Sequence, residues 1–293
     1  MDVNFELYKV FYYVAKYLSF SAAASALYIS QSAVSQSIKL LEKQLNSTLF
    51  FRHTKLVQLT PEGKLLFQHI EQAFHLIKAG EKSIQEIHSL QKGEVKIGAS
   101  DTICKYYLLP YLKAFHQMYP DIQIRITNRP SPVCVELLKK GAVDISVVNL
   151  LPNALYEKIQ VKEMKKIQDV LIAGKPFEHL RHHPISIREL EKYPLLLLEK
   201  NSTTRRIFED FAQQHGATIA PEFELGSMDL LIQLTRIGLG ISFVMLDAIE
   251  KELLNQEIFI LKIKEELPQR SIGVLTNSTV PLSIAAQKFI ELF

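Results

Sequence analysis

The pattern of apolar and polar positions begins with two short helical segments separated by a break at residues 28–30. Several alanines follow Ser19, and a second helical pattern extends from Ser30 to about residue 45. Ser19 and Ser30 are of the residue type that caps helix N-termini by accepting a backbone N–H bond. Apolar residues recur at spacings of three and four on the second segment, which predicts one buried face: Val34, Ile38, Leu41 and Leu45.

The opposite face of the second helix is polar near its N-terminus. Short hydroxyl and amide side chains in such a position suit the base edges and phosphates of DNA. The candidate DNA-contacting residues of this helical pair are Ser21, Ser30, Gln31, Ser32, Ser35, Gln36 and Lys39. Helical hairpins with polar outer faces also occur in proteins that bind no DNA, so the spacing leaves both alternatives open.

Downstream of the helical pair, two short apolar segments flank a polar, basic tip at residues 52–55. This arrangement predicts a two-stranded wing that contacts a phosphate backbone or a minor groove. The candidate residues there are Arg52, Lys55 and Thr60. Residues 1–58 hold six of the 34 Lys and Arg residues and three of the 31 Asp and Glu residues, so the formal charge of +3 lies in this segment. That excess favours a phosphate-facing surface.

Residues 61–89 form one long helical pattern with Pro61 in its first turn. Apolar or small residues recur along it at alternating spacings of four and three, which predicts a seam that pairs with a second helix. The seam residues are Leu66, Ile70, Ala73, Ile77, Gly80, Ile84 and Ile87. The alternative is a helix that packs against its own domain.

After residue 93, short apolar strands alternate with helical patterns. Strands are predicted at residues 94–99, 122–126, 144–148, 170–173, 195–198, 222–225, 241–244 and 271–276. Helices are predicted at residues 102–118, 134–140, 203–215, 229–237 and 281–292. This order predicts an α/β fold, with a mostly parallel sheet and helices on its faces.

Polar residues follow three of these strands, at the points where helices begin. Ligands of such sheets bind beyond the carboxyl ends of the strands, and free backbone N–H groups at helix starts favour anions. The candidate ligand-binding residues there are Ser100, Thr102, Ser202, Thr203, Thr204, Arg205 and Ser227. Arg205 or Arg206 offers a guanidinium fork for a carboxylate. For each Ser or Thr taken alone, plain helix capping is the alternative.

The motifs SFSAAASAL, SQSAVSQSIKLLEKQL, LF-x-R and LTPEG resemble the N-terminal domain of LysR-type transcriptional regulators. The resemblance is dense to about residue 90 and looser, though continuous, beyond it. Ser32 stands where the family usually has proline, and Asn46 where it usually has glycine. Serine is accepted in a first helical turn and asparagine in the left-handed conformation, so neither departure threatens the fold.

The resemblance implies a winged helix-turn-helix domain, a dimerisation helix and two α/β lobes like those of periplasmic binding proteins. The expected boundaries are 1–60 for the winged domain, 61–90 for the helix, 91–163 with 267–293 for the first lobe, and 164–266 for the second lobe. In similar regulators, positions matching Ser100, Thr102, Ser202 and Thr203 hold a small effector between the lobes. Asn149 faces the same cleft by that mapping, and the helix starts suggest an anionic effector.

The partners expected from the resemblance are double-stranded DNA and a second copy of the chain. A two-fold dimer predicts a pseudo-palindromic operator. Assembly into a homotetramer and contact with RNA polymerase are further expectations. Such a regulator would switch genes when the effector changes the spacing of the DNA-binding heads, which requires unequal affinity for two arrangements.

Composition and missing motifs set other functions aside. The sequence has no HExxH, no GxSxG and no phosphate-binding glycine loop, so we expect neither an enzyme nor a cofactor. The histidines at 179, 182 and 183 lack acidic or cysteine companions at metal spacing, which predicts a solvated loop and no metal. Cys104 lies in the predicted first turn of a helix, where a thiol pKa falls, so a redox role with Cys134 stays open.

The chain shows no run of roughly 18 apolar residues and no signal peptide at its N-terminus. Two cysteines without metal spacing fit a reducing compartment. We therefore expect a cytoplasmic protein without a membrane segment. The competing hypothesis is a small-molecule binding or transport protein whose first ninety or so residues serve only assembly, and the missing export signal argues against it.

Overall fold

The computed structural model describes residues 3–53, 56–88, 93–151 and 156–293. The chain divides into two compact units, Met1–Gly80 and Glu81–Phe293. Each unit has a hydrophobic core of its own. Among the described helices, none combines the length and the apolar character that crossing a membrane requires.

The first unit contains three short helices, a two-stranded hairpin and most of a long helix. Its elements are α1 (Phe5–Tyr17), α2 (Phe20–Leu27), α3 (Gln31–Leu45), β1 (Phe50–His53), β2 (Leu56–Leu59) and α4 (Pro61–His88). The predicted helical pair corresponds to α2 and α3, and the predicted wing corresponds to the antiparallel pair β1 and β2. Helix α1, which the sequence pattern did not predict, packs against α2 and α3.

Side-chain caps and a left-handed residue set the ends of the two hairpin helices. Ser19 Oγ accepts the Ala22 N–H at 3.2 Å, and Ser30 Oγ accepts the Ala33 N–H at 3.2 Å. Asn46 ends α3 with a φ of 49°. Asparagine tolerates this conformation, which helix C-termini commonly need. The predicted caps are therefore confirmed.

The core of the first unit contains the apolar face of α3. Val34, Ile38 and Leu41 are fully buried, and Leu45 packs against the same cluster while remaining partly exposed. The rings of Phe11 in α1 and Phe50 in β1 lie 5.5 Å apart between centroids. The three- and four-residue spacing therefore identified the inward face of α3 correctly, because that spacing matches the helical repeat.

The root of the hairpin is fixed by polar contacts and by one close backbone approach. Glu42 Oε1 accepts the backbone N–H of Leu49 at 2.9 Å, which ties α3 to the start of β1. A Cβ atom placed on Gly63 would lie 2.1 Å from the Leu49 carbonyl oxygen. The first turn of α4 can therefore pack on this segment only because residue 63 has no side chain.

The second unit is built on one nine-stranded sheet. Its strands are β3 (Gly93–Ala99), β4 (Ile122–Asn128), β5 (Ile145–Leu150), β6 (Ile159–Gly174), β7 (Leu195–Leu198), β8 (Phe223–Leu225), β9 (Ile241–Met245), β10 (Ile258–Ile260) and β11 (Gln269–Asn277). Their order is β4-β3-β5-β11-β6-β9-β7-β8, and β10 pairs with β6. Strand β3 is parallel to β4 and β5, and β7 is parallel to β8 and β9, whereas β11 is antiparallel to β5 and β6.

Helices cover the sheet as the alternating pattern predicted, and one further helix, Glu250–Leu254, was not predicted. They are α5 (Asp101–Ile103), α6 (Leu109–Met118), α7 (Ser131–Lys139), α8 (Thr203–Gln214), α9 (Met228–Arg236), α10 (Glu250–Leu254) and α11 (Ile284–Ile290). A π-helical turn at Cys104–Leu108 joins α5 to α6. The predicted helix at 102–118 is thus one helical segment with a widened turn inside it.

Two parallel half-sheets share the long strands β6 and β11. We call the half with β3, β4 and β5 the first lobe, and the half with β7, β8 and β9 the second lobe. The prediction of a short strand at 170–173 is wrong in length, because β6 extends over sixteen residues from Ile159 to Gly174. Its first half is exposed and rich in Lys and Glu, so pairing with β11 rather than burial holds it in the sheet.

Candidate DNA-binding surface and effector cleft

The outer face of α3 is polar and open to solvent. Gln31, Ser32, Gln36 and Lys39 are exposed, and Ser35 is half-buried. The buried residues of the same helix lie on the opposite side, where they complete the core of the first unit. The side chains predicted to contact base edges are therefore available on one continuous helical face.

The start of α3 carries two hydroxyls that contact each other. Ser30 Oγ lies 2.8 Å from Ser32 Oγ, in addition to capping the helix. Ser32 occupies a first-turn position, so its hydroxyl adds to the cap that Ser30 provides. Ser21, on α2, is also exposed. These three serines provide small polar groups beside the exposed face of α3.

The hairpin of β1 and β2 has the register of the predicted wing, with Phe50 opposite Leu59. Lys55 lies outside the described residues, and Arg52 belongs to β1 although its side chain also lies outside them. The prediction that Thr60 contacts DNA is wrong. Thr60 is 4% exposed, and its hydroxyl donates to the Thr48 carbonyl at 2.7 Å while accepting the Gly63 N–H at 2.9 Å. Thr60 therefore holds the base of the wing.

The predicted seam of α4 divides into two parts. Leu66 and Ile70 pack against the core of the first unit, so this part follows the alternative in which the helix covers its own domain. Ile77 and Ile84 are 43% and 61% exposed, and a Cβ atom on Gly80 would meet nothing within 4 Å. Ala73 is half-buried, and the side chain of Ile87 lies outside the described residues.

A polar cleft lies between the two lobes of the second unit and encloses about 90 Å³. Its lining includes six of the predicted residues: Ser100, Thr102, Asn149, Ser202, Thr203 and Thr204. The carboxyl ends of β3, β5 and β7 place these side chains, because parallel strands present their carboxyl ends on one edge of the sheet.

The first lobe presents hydroxyl and amide groups that are hydrogen-bonded, except the Thr102 hydroxyl, which has no hydrogen bond among the described residues. Ser100 Oγ accepts the Ile103 N–H at 3.4 Å, which caps α5. Ser131 Oγ accepts the Asn149 N–H at 3.1 Å. The side-chain oxygen of Asn149 accepts a hydrogen bond from Arg270. These contacts fix the orientation of Ser100, Ser131 and Asn149 on the side of the cleft that the first lobe forms.

The second lobe presents hydroxyls that have no partner. Ser202 begins α8, yet its side chain caps none of the helix's described N–H groups. Thr203 and Thr204 are 4% and 3% exposed, and no described residue hydrogen-bonds to their hydroxyls. Neither hydroxyl is among the described side-chain atoms that are both buried and unpartnered, so both reach solvent through the cleft that they line. They are therefore available to bind a ligand or water there.

Two of the predicted effector residues, Arg205 and Ser227, do not line the cleft. Arg205 is 2% exposed, and its guanidinium donates to the Leu198 carbonyl at 3.1 Å and to Glu209 at 2.7 Å. It packs behind the start of α8 and does not line the cleft. Ser227 Oγ accepts the Leu230 N–H at 3.3 Å as the cap of α9, and its neighbour Gly226 lines the cleft instead.

Several lining residues were missed by the sequence argument: Asp101, Asn128, Pro130, Ser131, Leu198, Glu199 and Gly226. Asp101 and Glu199 directly adjoin the predicted helix start and strand end, so their positions were a usable signal. Asn128 and Ser131 follow β4, and only the pairing of β4 with β3 brings them to the cleft.

A buried ion pair stabilises the crossing strands next to the cleft. Arg270 in β11 contacts Asp169 in β6 through Nε at 2.5 Å and through Nη2 at 2.8 Å, and both residues are buried. Bidentate pairs of this kind fix geometry as well as charge. Because Arg270 also donates to Asn149, the pair positions one wall of the cleft.

A polar contact links the two lobes at the surface. Lys105 Nζ and the Tyr106 hydroxyl lie 2.7 Å and 2.5 Å from Asp229 Oδ1 in α9. Burial, together with the bond to Asp229, raises the pKa of Tyr106 to about 12. Burial also raises the pKa of Asp229, but the bonds from Lys105 and Tyr106 outweigh it and leave that pKa below its usual value.

The cysteines do not have the character of reactive thiols. Burial, followed by the nearby Asp101 carboxylate, raises the pKa of Cys104 to about 11. Burial raises the pKa of Cys134 to about 11 as well. The predicted lowering of the Cys104 pKa by its helix is therefore wrong, because desolvation of the thiolate dominates at this position.

A winged helical unit followed by a two-lobed α/β unit with a polar cleft defines a class of protein, the ligand-responsive DNA-binding regulators. Residues 5–64 match the family model described as bacterial regulatory helix-turn-helix protein, lysR family. Residues 88–293 match the model described as LysR substrate binding domain. The chain belongs to the LysR family, and it is a LysR-type transcriptional regulator with an effector-binding domain rather than an enzyme.

Relatives and solved structures agree with this assignment. A probable RuBisCO transcriptional regulator of Cyanidium caldarium is 30% identical over 92% of this chain and 87% of its own length. One from Guillardia theta is 31% identical over 88% of this chain and 85% of its own length. A full-length OxyR from Pseudomonas aeruginosa has a TM-score of 0.70 at 18% identity, covering 100% of this chain and 93% of its own.

Two further structures with the same fold contain a bound molecule, DNA in one and a small ligand in the other. Full-length CbnR complexed with its target DNA has a TM-score of 0.64 at 18% identity over 99% of this chain and 98% of its own. The regulatory domain of Synechocystis CcmR in complex with 2-PG has a TM-score of 0.61 at 24% identity over 69% of this chain and 95% of its own. The predicted resemblance and fold class are confirmed.

Proposed function

We propose that α3 contacts operator bases through Gln31, Ser35 and Gln36, and that a small ligand with an anionic group binds in the cleft between the lobes. Ligand binding would change the lobe arrangement and thereby the spacing of two DNA-binding heads. A ligand can cause such a change only if it binds one arrangement more tightly than the other. Lys105 and Tyr106 of the first lobe contact Asp229 of the second lobe, so a ligand that changed the lobe arrangement would have to alter this contact.

The structural feature that best supports the ligand site is the N-terminus of α8. A helix N-terminus presents free N–H groups and the positive end of the helix dipole. Here it also presents the hydroxyls of Thr203 and Thr204, which have no hydrogen-bond partner among the described residues, and the Ser202 hydroxyl, which does not cap the helix. Anionic oxygens accept hydrogen bonds from all of these groups. The CcmR neighbour, crystallised with 2-PG, supports a small ligand in the same fold.

The proposed division of the chain is a winged domain at 1–60, a linker helix at 61–90, a first lobe at 91–163 with 267–293, and a second lobe at 164–266. The exposed part of the α4 seam, with Ile77, Gly80 and Ile84, supports pairing with a second copy. A two-fold dimer, acting in the cytoplasm, would bind a pseudo-palindromic operator. Tetramer assembly and contact with RNA polymerase are proposed by analogy with the family alone.

The test is a gel-shift titration on DNA from upstream of the chain's own gene, with Gln36→Ala as the variant. Loss of a base-edge contact should cost about 1–3 kcal/mol on the specific site and little on non-specific DNA. Gln213→Ala, on α8 of the second unit, is the matched control. Equal affinity of wild type and Gln36→Ala for both DNAs would contradict the role of α3.

A further inference from the structure

The effector cleft carries negative charge from both lobes. Asp101 of the first lobe and Glu199 of the second lobe both line it. None of the described residues that line the cleft is Lys, Arg or His. Both residues are exposed at the edge of the cleft. Two acidic side chains beside one small cavity disfavour a purely anionic ligand, because like charges repel.

The cations near the cleft already have partners. The buried guanidinium of Arg205 pairs with Glu209, and that of Arg270 pairs with Asp169. Arg129 follows the lining residue Asn128, and its guanidinium donates to the Asn128 carbonyl at 2.7 Å. The charges of Arg205 and Arg270 are therefore paired with other carboxylates, and no described salt bridge joins Arg129 to Asp101 or Glu199.

The second lobe also supplies groups that bind an anion. Thr203 and Thr204 are buried at the start of α8, and within the described structure their hydroxyls have no hydrogen-bond partner. The same cavity thus offers donors for an anionic group and carboxylates for a cationic group. A ligand that satisfies both must carry both charges.

We infer that the effector is a small amino acid or a close analogue, bound as a zwitterion. This inference rests on the proposed ligand site. Its carboxylate meets the start of α8 at Ser202, Thr203 and Thr204. Its ammonium group lies between Asp101 and Glu199, so one ligand group joins the two lobes. The ammonium removes the repulsion between the carboxylates, which favours the closed arrangement of the lobes.

The size of the cleft and one glycine agree with this assignment. A cavity of about 90 Å³ suits a ligand of few heavy atoms, whereas sites for drug-sized molecules enclose roughly 300–1,000 Å³. A Cβ atom on Gly226 would lie 3.0 Å from Glu199 Oε1. Residue 226 therefore leaves room for the Glu199 carboxylate at the cleft.

The experiment compares acids that share a carbon skeleton and differ only in one substituent. The full-length protein is tested by thermal shift and calorimetry against the twenty common amino acids. Two matched sets are added: alanine, lactate and propionate, and aspartate, malate and succinate. At least one amino acid should raise the melting temperature, as a specific ligand does. Its hydroxy acid and unsubstituted acid should bind at least about tenfold more weakly.

Two variants locate the effect. Asp101→Asn and Glu199→Gln should each weaken binding of that amino acid by about tenfold and narrow its advantage over the matching acids. Glu136→Gln, an exposed residue of α7 paired with Lys139, is the control and should change neither property. Gly226→Ala should weaken binding as well, because the added methyl group displaces the Glu199 carboxylate.

Several outcomes would overturn the inference. Equal or tighter binding of the nitrogen-free acids would do so, as would the absence of a shift with every amino acid. A shift with Mg²⁺ or Ca²⁺ alone that Asp101→Asn abolishes would replace the ammonium with a metal ion. If a nitrogen-free acid binds wild type but not the Thr203→Val/Thr204→Val double variant, the ligand class is wrong while the proposed cleft site stands.

Discussion

The two helix starts that line the cleft differ in how their hydroxyls are used. In the first lobe, Ser100 caps its own helix by accepting the Ile103 N–H. In the second lobe, Ser202 leaves the start of α8 without a side-chain cap, and Thr203 and Thr204 are buried among its described neighbours without a partner. A helix N-terminus with a side-chain cap has an acceptor for one of its free N–H groups. A helix N-terminus without such a cap leaves that N–H group available to a ligand. We therefore expect the second lobe to anchor the ligand.

The largest expected effect is on stability, and it comes from Arg205, which is buried beneath the N-terminus of α8. Arg205→Ala removes a buried guanidinium and leaves Glu209 and the Leu198 carbonyl without their donor. We expect a loss of about 3 kcal/mol in the free energy of unfolding, measured by urea denaturation. Arg206→Ala, at an exposed neighbouring position, should have little effect. If Arg205→Ala keeps its stability but loses amino-acid binding, Arg205 contacts the ligand and is not only a structural residue.

Next in size is the effect of the unpartnered hydroxyls on binding. The double variant Thr203→Val/Thr204→Val keeps the side-chain shapes and removes two donors to the ligand. We expect binding of the strongest amino acid of the panel to weaken by about 2–3 kcal/mol in calorimetry. The free energy of unfolding without ligand should stay the same or rise, because no protein hydrogen bond is lost. A clear loss of stability would mean that the hydroxyls have partners within the protein.

The two serines give the most direct contrast in stability. Ser100→Ala removes a cap and should lower the free energy of unfolding by about 1 kcal/mol. Ser202→Ala removes no cap and should change it by only a few tenths of a kcal/mol. Thermal or urea unfolding of both variants checks the difference. Equal losses would show that the two helix starts do not differ as described.

The smallest expected effect concerns the contact between the lobes. Asp229 has a lowered pKa in the folded chain, so its contribution is present at neutral pH and lost as the pH falls through that pKa, below about 4. Because Lys105 and Asp229 are both partly exposed, we expect less than about 1 kcal/mol. Asp229→Asn should flatten this part of the pH dependence of stability. If Asp229→Asn leaves the pH dependence of the free energy of unfolding unchanged, Asp229 does not contribute to stability as proposed.

How much the sequence could predict differs between elements. The inward face of α3 followed from a simple repeat, because a solvent-exposed helix must bury one stripe. Helix α1 was missed, although it begins with Asn4, whose side chain accepts the Glu6 N–H as an N-cap. The exposed half of β6 was also missed, because its place in the sheet depends on pairing with β11 from more than a hundred residues away.

The candidate site shows the same limit. Residues that directly follow a strand, such as Ser100 and Ser202, were predictable because parallel strands end on one edge. Arg205 has the right chemistry and the right position in sequence, but its turn on α8 directs it into the protein. Thr60 also has suitable chemistry, but its hydroxyl donates to the Thr48 carbonyl at the base of the wing. Side-chain direction and existing partners decide such cases, and a single sequence specifies neither.

The most direct test of the account is a footprint of the full-length protein on DNA from upstream of its own gene. It is recorded with and without the amino acid that gives the largest thermal shift. We predict that the ligand changes the wild-type footprint, and that Thr203→Val/Thr204→Val binds the same DNA with unchanged affinity but gives the same footprint in both conditions. A double variant that still responds, or a wild type that does not, would contradict the assignment of the switch to the start of α8.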